Sequence, residues 1–124
     1  MIGKLLAVVG ILTLGLVLQA QTPKTTTVEG YIIDNMCAGQ HSSEAGFGEK
    51  VQKHPTSCAL MDSCVESGYA VFTSDAKLYK FDSEGNAKAV ELLKATKTKA
   101  GVPIVVEGTI EGDTIKVTSI TEKS

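Results

Sequence analysis

The last quarter of the chain alternates apolar and polar residues. Apolar side chains recur at every second position through most of Val102–Glu111 and Thr114–Ile120. A period of two is typical of strands that bury one face and leave the other in water. Because Gly112-Asp113 separates the two runs, this segment predicts a β-hairpin, and the chain must fold around a half-buried antiparallel sheet.

Three further segments predict strands because they are rich in β-branched and aromatic residues. They are Val28–Ile33, Tyr69–Thr73 and Lys77–Phe81. Ser74-Asp75-Ala76 predicts a tight hairpin between the second strand and the third. Turn-forming residues at 82–86 then precede a short predicted helix, Ala87–Thr96, which has its apolar residues on one face. The sequence therefore predicts five strands, with a helix between the third and the fourth.

The first two predicted strands are separated by an insert, residues 36–68. Its first part is polar and rich in glycine, and we expect a helix only in the second half of 38–53. Proline disfavours helix at the preceding residue, so Pro55 ends any such helix. Pro55 can itself start a new helix that runs to Ser67 and is closed by Gly68.

This element order resembles that of the OB-fold, a small Greek-key barrel. We therefore expect a mainly β, α+β protein. Its five-stranded OB-like barrel would have a partly helical insert, which carries cysteines and histidines, between strands 1 and 2. A generic α+β sheet with one helix packed on it has the same elements. On either alternative, residues 28–121 form a single domain, preceded by a flexible lead-in at 21–27.

The N-terminus has the features of a secretory signal peptide, residues 1–20. Lys4 supplies a positive charge, 14 predominantly apolar residues follow from Leu5 to Leu18, and Ala20 is a small residue at the expected cleavage point. A membrane-spanning helix needs about 20 apolar residues, so this run is short for a permanent anchor. We expect a periplasmic or secreted protein with no stable membrane anchor after cleavage.

The charge composition argues against nucleic-acid binding. The chain has 12 basic residues, all lysine, against 14 acidic ones, for a net charge of −2. Proteins that bind nucleic acids usually present a basic surface in which arginine is prominent. An acidic chain without arginine therefore predicts another class of partner, a protein or a small ligand.

All three cysteines and both histidines lie in the insert region, between residues 37 and 64. Thiolate and imidazole groups together are ligands for zinc or copper, and the thioethers of Met36 and Met61 are possible soft additions. The candidate metal ligands are Cys37, His54, Cys58 and Cys64, with His41 less favoured because it lies in a polar loop. The spacings C-x3-H, H-x3-C and C-x5-C do not match a zinc ribbon.

A disulfide is the competing use of the same cysteines, because exported domains of about 100 residues often carry one. If 55–67 is one continuous helix, Cys58 and Cys64 are separated by about 9 Å along its axis, too far for a disulfide. Cys37 would then pair with Cys58 or Cys64. If the helix breaks near Met61, Cys58 can pair with Cys64. The sequence leaves these pairings open.

A short-motif resemblance concerns the same residues. The segment Gly30–Cys37, then His54, Cys58 and Cys64, and then Gly68–Phe72, resembles a group of small exported bacterial proteins of unknown function. Those proteins have a strand ending in D-x-x-C and a later cysteine pair just before a G-Y-x-V strand. Their pair is often three residues apart, whereas five residues separate the pair here. The resemblance implies relatedness and assigns no chemistry.

Two functions follow as hypotheses. The first is an exported, disulfide-stabilised OB-like module that binds a protein or small ligand without catalysis. The alternative is a periplasmic zinc- or copper-binding module that uses Cys37, His54, Cys58 and Cys64. No hydrolase or phosphate-loop motif is present, and a thiol-redox enzyme would need a C-x-x-C motif that the chain lacks. We therefore expect no enzymatic turnover.

Overall fold

The computed structural model describes residues 24–124, so the predicted signal peptide, 1–20, and the start of the lead-in lie outside the described residues. This part of the chain is an α+β fold with a five-stranded mixed sheet and five helices. The strands are β1 Thr26–Asp34, β2 Tyr69–Thr73, β3 Leu78–Phe81, β4 Pro103–Glu111 and β5 Thr114–Glu122. The helices are α1 Asn35–His41, α2 Phe47–Gln52, α3 Thr56–Ala59, α4 Asp62–Ser67 and α5 Ser83–Ala95. None of these described helices has the length and apolar character needed to cross a membrane.

Every strand has two hydrogen-bonded neighbours. The order is β1-β2-β3-β5-β4, and β4 pairs back with β1, so the ladder closes on itself. All pairs are antiparallel except the short β3–β5 pair. Strand β1 pairs with β4 over Thr26–Tyr31 and with β2 over Gly30–Asp34. At Gly30 a Cβ atom would lie 2.1 Å from the Phe72 carbonyl oxygen, so only glycine permits this close approach.

Two apolar clusters hold the fold together. The larger lies inside the sheet and under α5, and Ile104, Val106 and Ile115 are fully buried in it. The smaller lies between the outer face of β1 and β2 and the insert, and contains Phe47 and Val51 from α2. The first helices of the insert are therefore packed against the outside of the sheet.

The five predicted strands are present, with boundaries moved by at most two residues. The prediction for α5 was less accurate, since the segment 82–86, expected to be a turn, forms the helix start. Asp82 is the N-cap, and its carboxylate accepts a hydrogen bond from the Gly85 N–H at 3.0 Å. The residues that favour turns also favour the first turn of a helix, because both use side chains to satisfy free backbone N–H groups.

The insert differs more from its prediction. The expected helix from Pro55 to Ser67 is two short helices, α3 and α4, with a break at Leu60-Met61. Pro55 is the extended N-cap residue rather than the first residue of the helix, whereas Gly68 ends α4 as predicted. Helix α2 confirms a helix in the second half of 38–53. Helix α1 was not predicted.

The insert is joined to the segment before β4 by backbone contacts. The Gly101 N–H donates to the His54 carbonyl at 3.0 Å, and the Thr56 N–H donates to the Lys99 carbonyl at 2.9 Å. Gly101 has φ +61°, and a Cβ atom there would lie 1.9 Å from the Gln52 carbonyl oxygen. These contacts fix the position of His54 relative to the sheet.

Candidate metal centre

Asp34 lies where β1 becomes α1. It is the last residue of the strand and the N-cap of the helix, and its Oδ2 accepts a hydrogen bond from the Cys37 N–H at 2.9 Å. An N-cap carboxylate satisfies a backbone N–H that has no partner within the helix. The D-x-x-C spacing therefore fixes the first turn of α1, and with it the backbone of Cys37, against the Asp34 carboxylate.

His54 contacts the other oxygen of the same carboxylate. Its Nε2 lies 2.8 Å from Asp34 Oδ1, and its side chain is 14% exposed while that of Asp34 is fully buried. An ionised carboxylate can only accept hydrogen bonds, so His54 Nε2 carries the hydrogen and donates it. Both Asp34 oxygens therefore have a donor.

Cys64 comes from α4, which is tied to the start of α1. The Met36 N–H donates to Ser67 Oγ at 3.1 Å, and Ser67 Oγ donates to the Cys64 carbonyl at 2.7 Å. Asn35 strengthens this junction, because its N–H donates to the Gly68 carbonyl at 2.8 Å. The end of α4 is thus held beside the beginning of α1, which brings Cys64 towards Cys37.

Asp34, Cys37 and Cys64 form what we call the Asp–Cys–Cys cluster. A carboxylate oxygen and the two Sγ atoms all lie within 4.8 Å of one another. Asp34 and Cys64 are buried and Cys37 is half-buried, so the cluster is largely shielded from solvent. All three cysteines of the chain are free thiols in this structure.

The surroundings give these groups unequal charge states. Burial tends to raise the pKa of Asp34, but hydrogen bonds from His54, the Cys37 N–H and the Cys64 thiol outweigh it and lower the pKa to about 2. Burial, together with the negative charge of Asp34, raises the pKa of Cys37 to about 12. Burial and the contact with Asp34 also raise the pKa of Cys64. One carboxylate and two neutral thiols therefore share the cluster at neutral pH.

This charge state bears on the chemistry that the cluster can perform. The reactive form of cysteine is the thiolate, and catalytic cysteines usually have a lowered pKa. Cys37, with a pKa of about 12, is a poor nucleophile at neutral pH. Metal binding at these thiols requires the loss of their protons, so any such binding would release protons and strengthen as the pH rises.

Two further residues adjoin Asp34, one across the β1–β2 pair and one along the chain. Tyr69 is paired with Asp34 in the β1–β2 register, and its hydroxyl donates to the Ala59 carbonyl at 2.7 Å. Burial and the negative charge of Asp34 raise the pKa of Tyr69 to about 12, so its hydroxyl is neutral at neutral pH. Asn35 follows Asp34 directly, and its buried Oδ1 has no hydrogen-bond partner.

The structure brings together part of the predicted ligand set. Cys37, Cys64 and His54 converge on Asp34, with His54 contacting the carboxylate rather than joining the mutually close ligand atoms. Cys58 lies on α3, half-buried and outside the cluster. The His41 side chain is 44% exposed, and its Nδ1 lies 2.8 Å from Glu44 Oε1. The disulfide pairings stay predictions, and of the three, Cys37 with Cys64 joins thiols that the cluster already brings together.

Asp34 was the residue that the sequence analysis missed as a ligand. The signal was present in the D-x-x-C motif, because an aspartate three residues before a cysteine at a helix start is the N-cap spacing. The convergence of Cys64 and His54 had no comparable local signal, since it depends on the break at Leu60-Met61 and on the tie to Gly101.

Comparison of this chain with protein-family models, with curated proteins and with solved structures finds no match. The function of the Asp–Cys–Cys cluster is therefore argued from its own geometry and chemistry.

Proposed function

We propose that this chain binds a transition-metal ion, zinc or copper, at the Asp–Cys–Cys cluster. The observation that carries the proposal is the approach of a buried carboxylate oxygen and two thiol sulfurs to within 4.8 Å of one another. His54 would then orient the Asp34 carboxylate through their hydrogen bond, as hydrogen-bond partners commonly orient the carboxylate and imidazole ligands of metals.

The dimensions of the cluster are compatible with an ion. Zinc binds thiolate sulfur at about 2.3 Å and carboxylate oxygen at about 2.1 Å, so tetrahedral ligand atoms lie roughly 3.5–3.8 Å apart. From 4.8 Å, side-chain movements of about 1 Å would close the cluster around a zinc ion. Three protein ligands leave one coordination position for water or for an imidazole.

We propose further that this centre is built on an OB-like barrel and works outside the cytoplasm. The closed strand order β1-β2-β3-β5-β4, with α5 between β3 and β4, supports the barrel. The composition of residues 1–20 supports export. N-terminal sequencing of protein recovered from the periplasm or medium should then begin close to Gln21.

Metal content of the purified protein tests the metal proposal. Protein prepared under reducing conditions and loaded separately with zinc and copper(I) should retain one ion per chain through gel filtration, as measured by native mass spectrometry and elemental analysis. Cys37→Ser and Cys64→Ser should each abolish stoichiometric retention, because each removes a thiolate ligand.

Cys58→Ser is the matched control, since it removes a thiol outside the cluster and should retain one ion per chain. Retention that depended equally on Cys58 would contradict the cluster as the site. A wild-type protein that holds neither ion after reduction, and whose mass before reduction is two hydrogens below the fully reduced value, would instead identify a structural disulfide.

A cleft on the sheet favours a second candidate, an OB-like module that binds a protein or small ligand. The cleft has a volume of about 610 Å³, and Tyr31, Phe72 and Pro103 line it. Tyr31 and Phe72 are opposite each other in the β1–β2 register, so two neighbouring aromatic residues contribute to the lining. Titration of the protein with a panel of soluble oligosaccharides should shift the ring NMR signals of both residues, and unchanged signals would count against saccharide binding.

A further inference from the structure

Two methionines are unusually exposed. In residues 24–124 the large hydrophobic side chains that are exposed are Met36, at 38%, and Met61, at 57%. The only other methionine of the chain is Met1. Methionine often fills irregular gaps in a core, but neither of these side chains is buried, and both sulfurs are therefore within reach of solvent.

Both methionines adjoin the cysteines of the cluster. Met36 directly precedes Cys37 at the start of α1. Met61 is the N-cap of α4, and its carbonyl accepts the Cys64 N–H at 2.9 Å. Each thiol of the cluster therefore has an exposed thioether within one helical turn of it along the chain.

The cluster contains one hard donor, the Asp34 carboxylate, and two soft donors, the sulfurs of Cys37 and Cys64. The Asp34 Oδ2 accepts from the Cys37 N–H and its Oδ1 from His54 Nε2, so each carboxylate oxygen already accepts one hydrogen bond and has fewer lone pairs left for an ion. Loss of the thiol protons would free the sulfurs of Cys37 and Cys64, which are softer donors than the carboxylate. A pair of thiolates, with methionine thioethers close by in the sequence, is a soft ligand set, which favours copper(I) over harder divalent ions.

We infer that the ion handled by this centre is copper(I), bound by Cys37 and Cys64, and that Met36 and Met61 are the exposed sulfurs through which it enters and leaves. This inference rests on the proposed metal-binding function. The methionines act as transient ligands on the path between solvent, or a donor protein, and the thiolate pair. Asp34 keeps its role as N-cap and hydrogen-bond acceptor.

The test is a transfer experiment with the double variant Met36→Leu/Met61→Leu. Leucine keeps the apolar character and approximate volume but removes the sulfur. Full-length mature protein is loaded with one equivalent of copper(I) without oxygen, and the ion is withdrawn by excess bicinchoninate, whose complex is coloured. We expect transfer to be slowed about tenfold, the lower end of what outer partners of a metal site contribute. Cys58→Ser should transfer copper at the wild-type rate.

An unchanged transfer rate in the double variant would overturn the role of the methionines. A second variant, Asp34→Asn, tests the ligand set. Because it loosens the insert whichever ion is bound, copper(I) held by two thiolates should lose affinity by a clearly smaller factor than zinc does. An equal loss for both ions would make Asp34 a ligand of both and overturn the copper(I) assignment, leaving the metal-binding function intact. Failure of wild-type protein to bind either ion would instead defeat the proposed function itself.

Discussion

The sheet and the insert of this protein are stabilised in different ways. The sheet, β1–β5 with α5, is built around buried aliphatic residues such as Ile104, Val106 and Ile115. The insert, which in the structure begins with α1 at Asn35 and spans residues 35–68, contains helices of four to seven residues, which are too short to be stable alone. Its shape depends on capping, on polar ties to the sheet and on a small apolar cluster around Phe47 and Val51.

This difference has a consequence for the site. Two of the polar contacts that hold the insert meet at Asp34, which accepts from both Cys37 and His54. The same carboxylate belongs to the Asp–Cys–Cys cluster. A change at the cluster should therefore loosen the insert and spare the sheet, whereas a change in the sheet core should unfold both regions together.

The largest expected effect comes from the sheet core. Ile104→Ala removes three buried carbon atoms from a fully buried position, and we expect it to lower the free energy of unfolding by about 2–5 kcal/mol. Urea unfolding followed by hydrogen exchange should show a lower free energy of unfolding for amides of the insert and of the sheet alike. An insert that unfolds at unchanged urea concentration would show that it folds independently of the sheet.

The next effect is smaller and concerns the junction of the two regions. Asp34→Asn removes the charge that His54 and the Cys37 N–H stabilise. The pKa of Asp34 is about 2 when folded, against an ordinary value of 3.8. The metal-free variant should therefore lose about 2–3 kcal/mol at pH 7.

The pH dependence of that difference follows from the lowered pKa. The contribution of Asp34 is fully present above about pH 4 and is lost as the pH falls to about 2. Denaturation curves of the wild type and the variant should accordingly converge over this range. Glu44→Gln, which breaks the exposed contacts of Glu44 with His41 and Lys50, is the control and should change stability much less. Equal losses of stability from Asp34→Asn and Glu44→Gln would show that the buried carboxylate contributes no more than an exposed one.

The same contrast explains what the sequence could predict. Strand positions follow from local composition and alternation, so Tyr69–Thr73 and the hairpin of β4 and β5 were found nearly to the residue. In the insert, local signals are ambiguous. Asp34 has the spacing of an N-cap, but its use as a possible ligand depends on Cys64, which lies 30 residues further along the chain.

The break between α3 and α4 illustrates, in physical terms, how far local sequence can predict structure. Nothing at Leu60-Met61 forbids a helix, since leucine and methionine both favour one. Contacts outside the segment provide alternatives to helical hydrogen bonds: the Tyr69 hydroxyl binds the Ala59 carbonyl, and Thr56 binds the segment before β4. Tertiary contacts of this kind override local preference, and they are the ones that place Cys64 beside Cys37.

The smallest expected effect tests the insert alone. Gly39 is exposed within α1, and a Cβ atom there would meet no other atom within 4 Å. Alanine costs less backbone entropy in a helix than glycine, so Gly39→Ala should stabilise α1 by about 0.5–1 kcal/mol. Because α1 carries Cys37, the gain should appear as slower hydrogen exchange in α1 and at Cys37, with amides of β4 and β5 unchanged. Slower exchange throughout the sheet would instead mean that the insert and the sheet open as one unit.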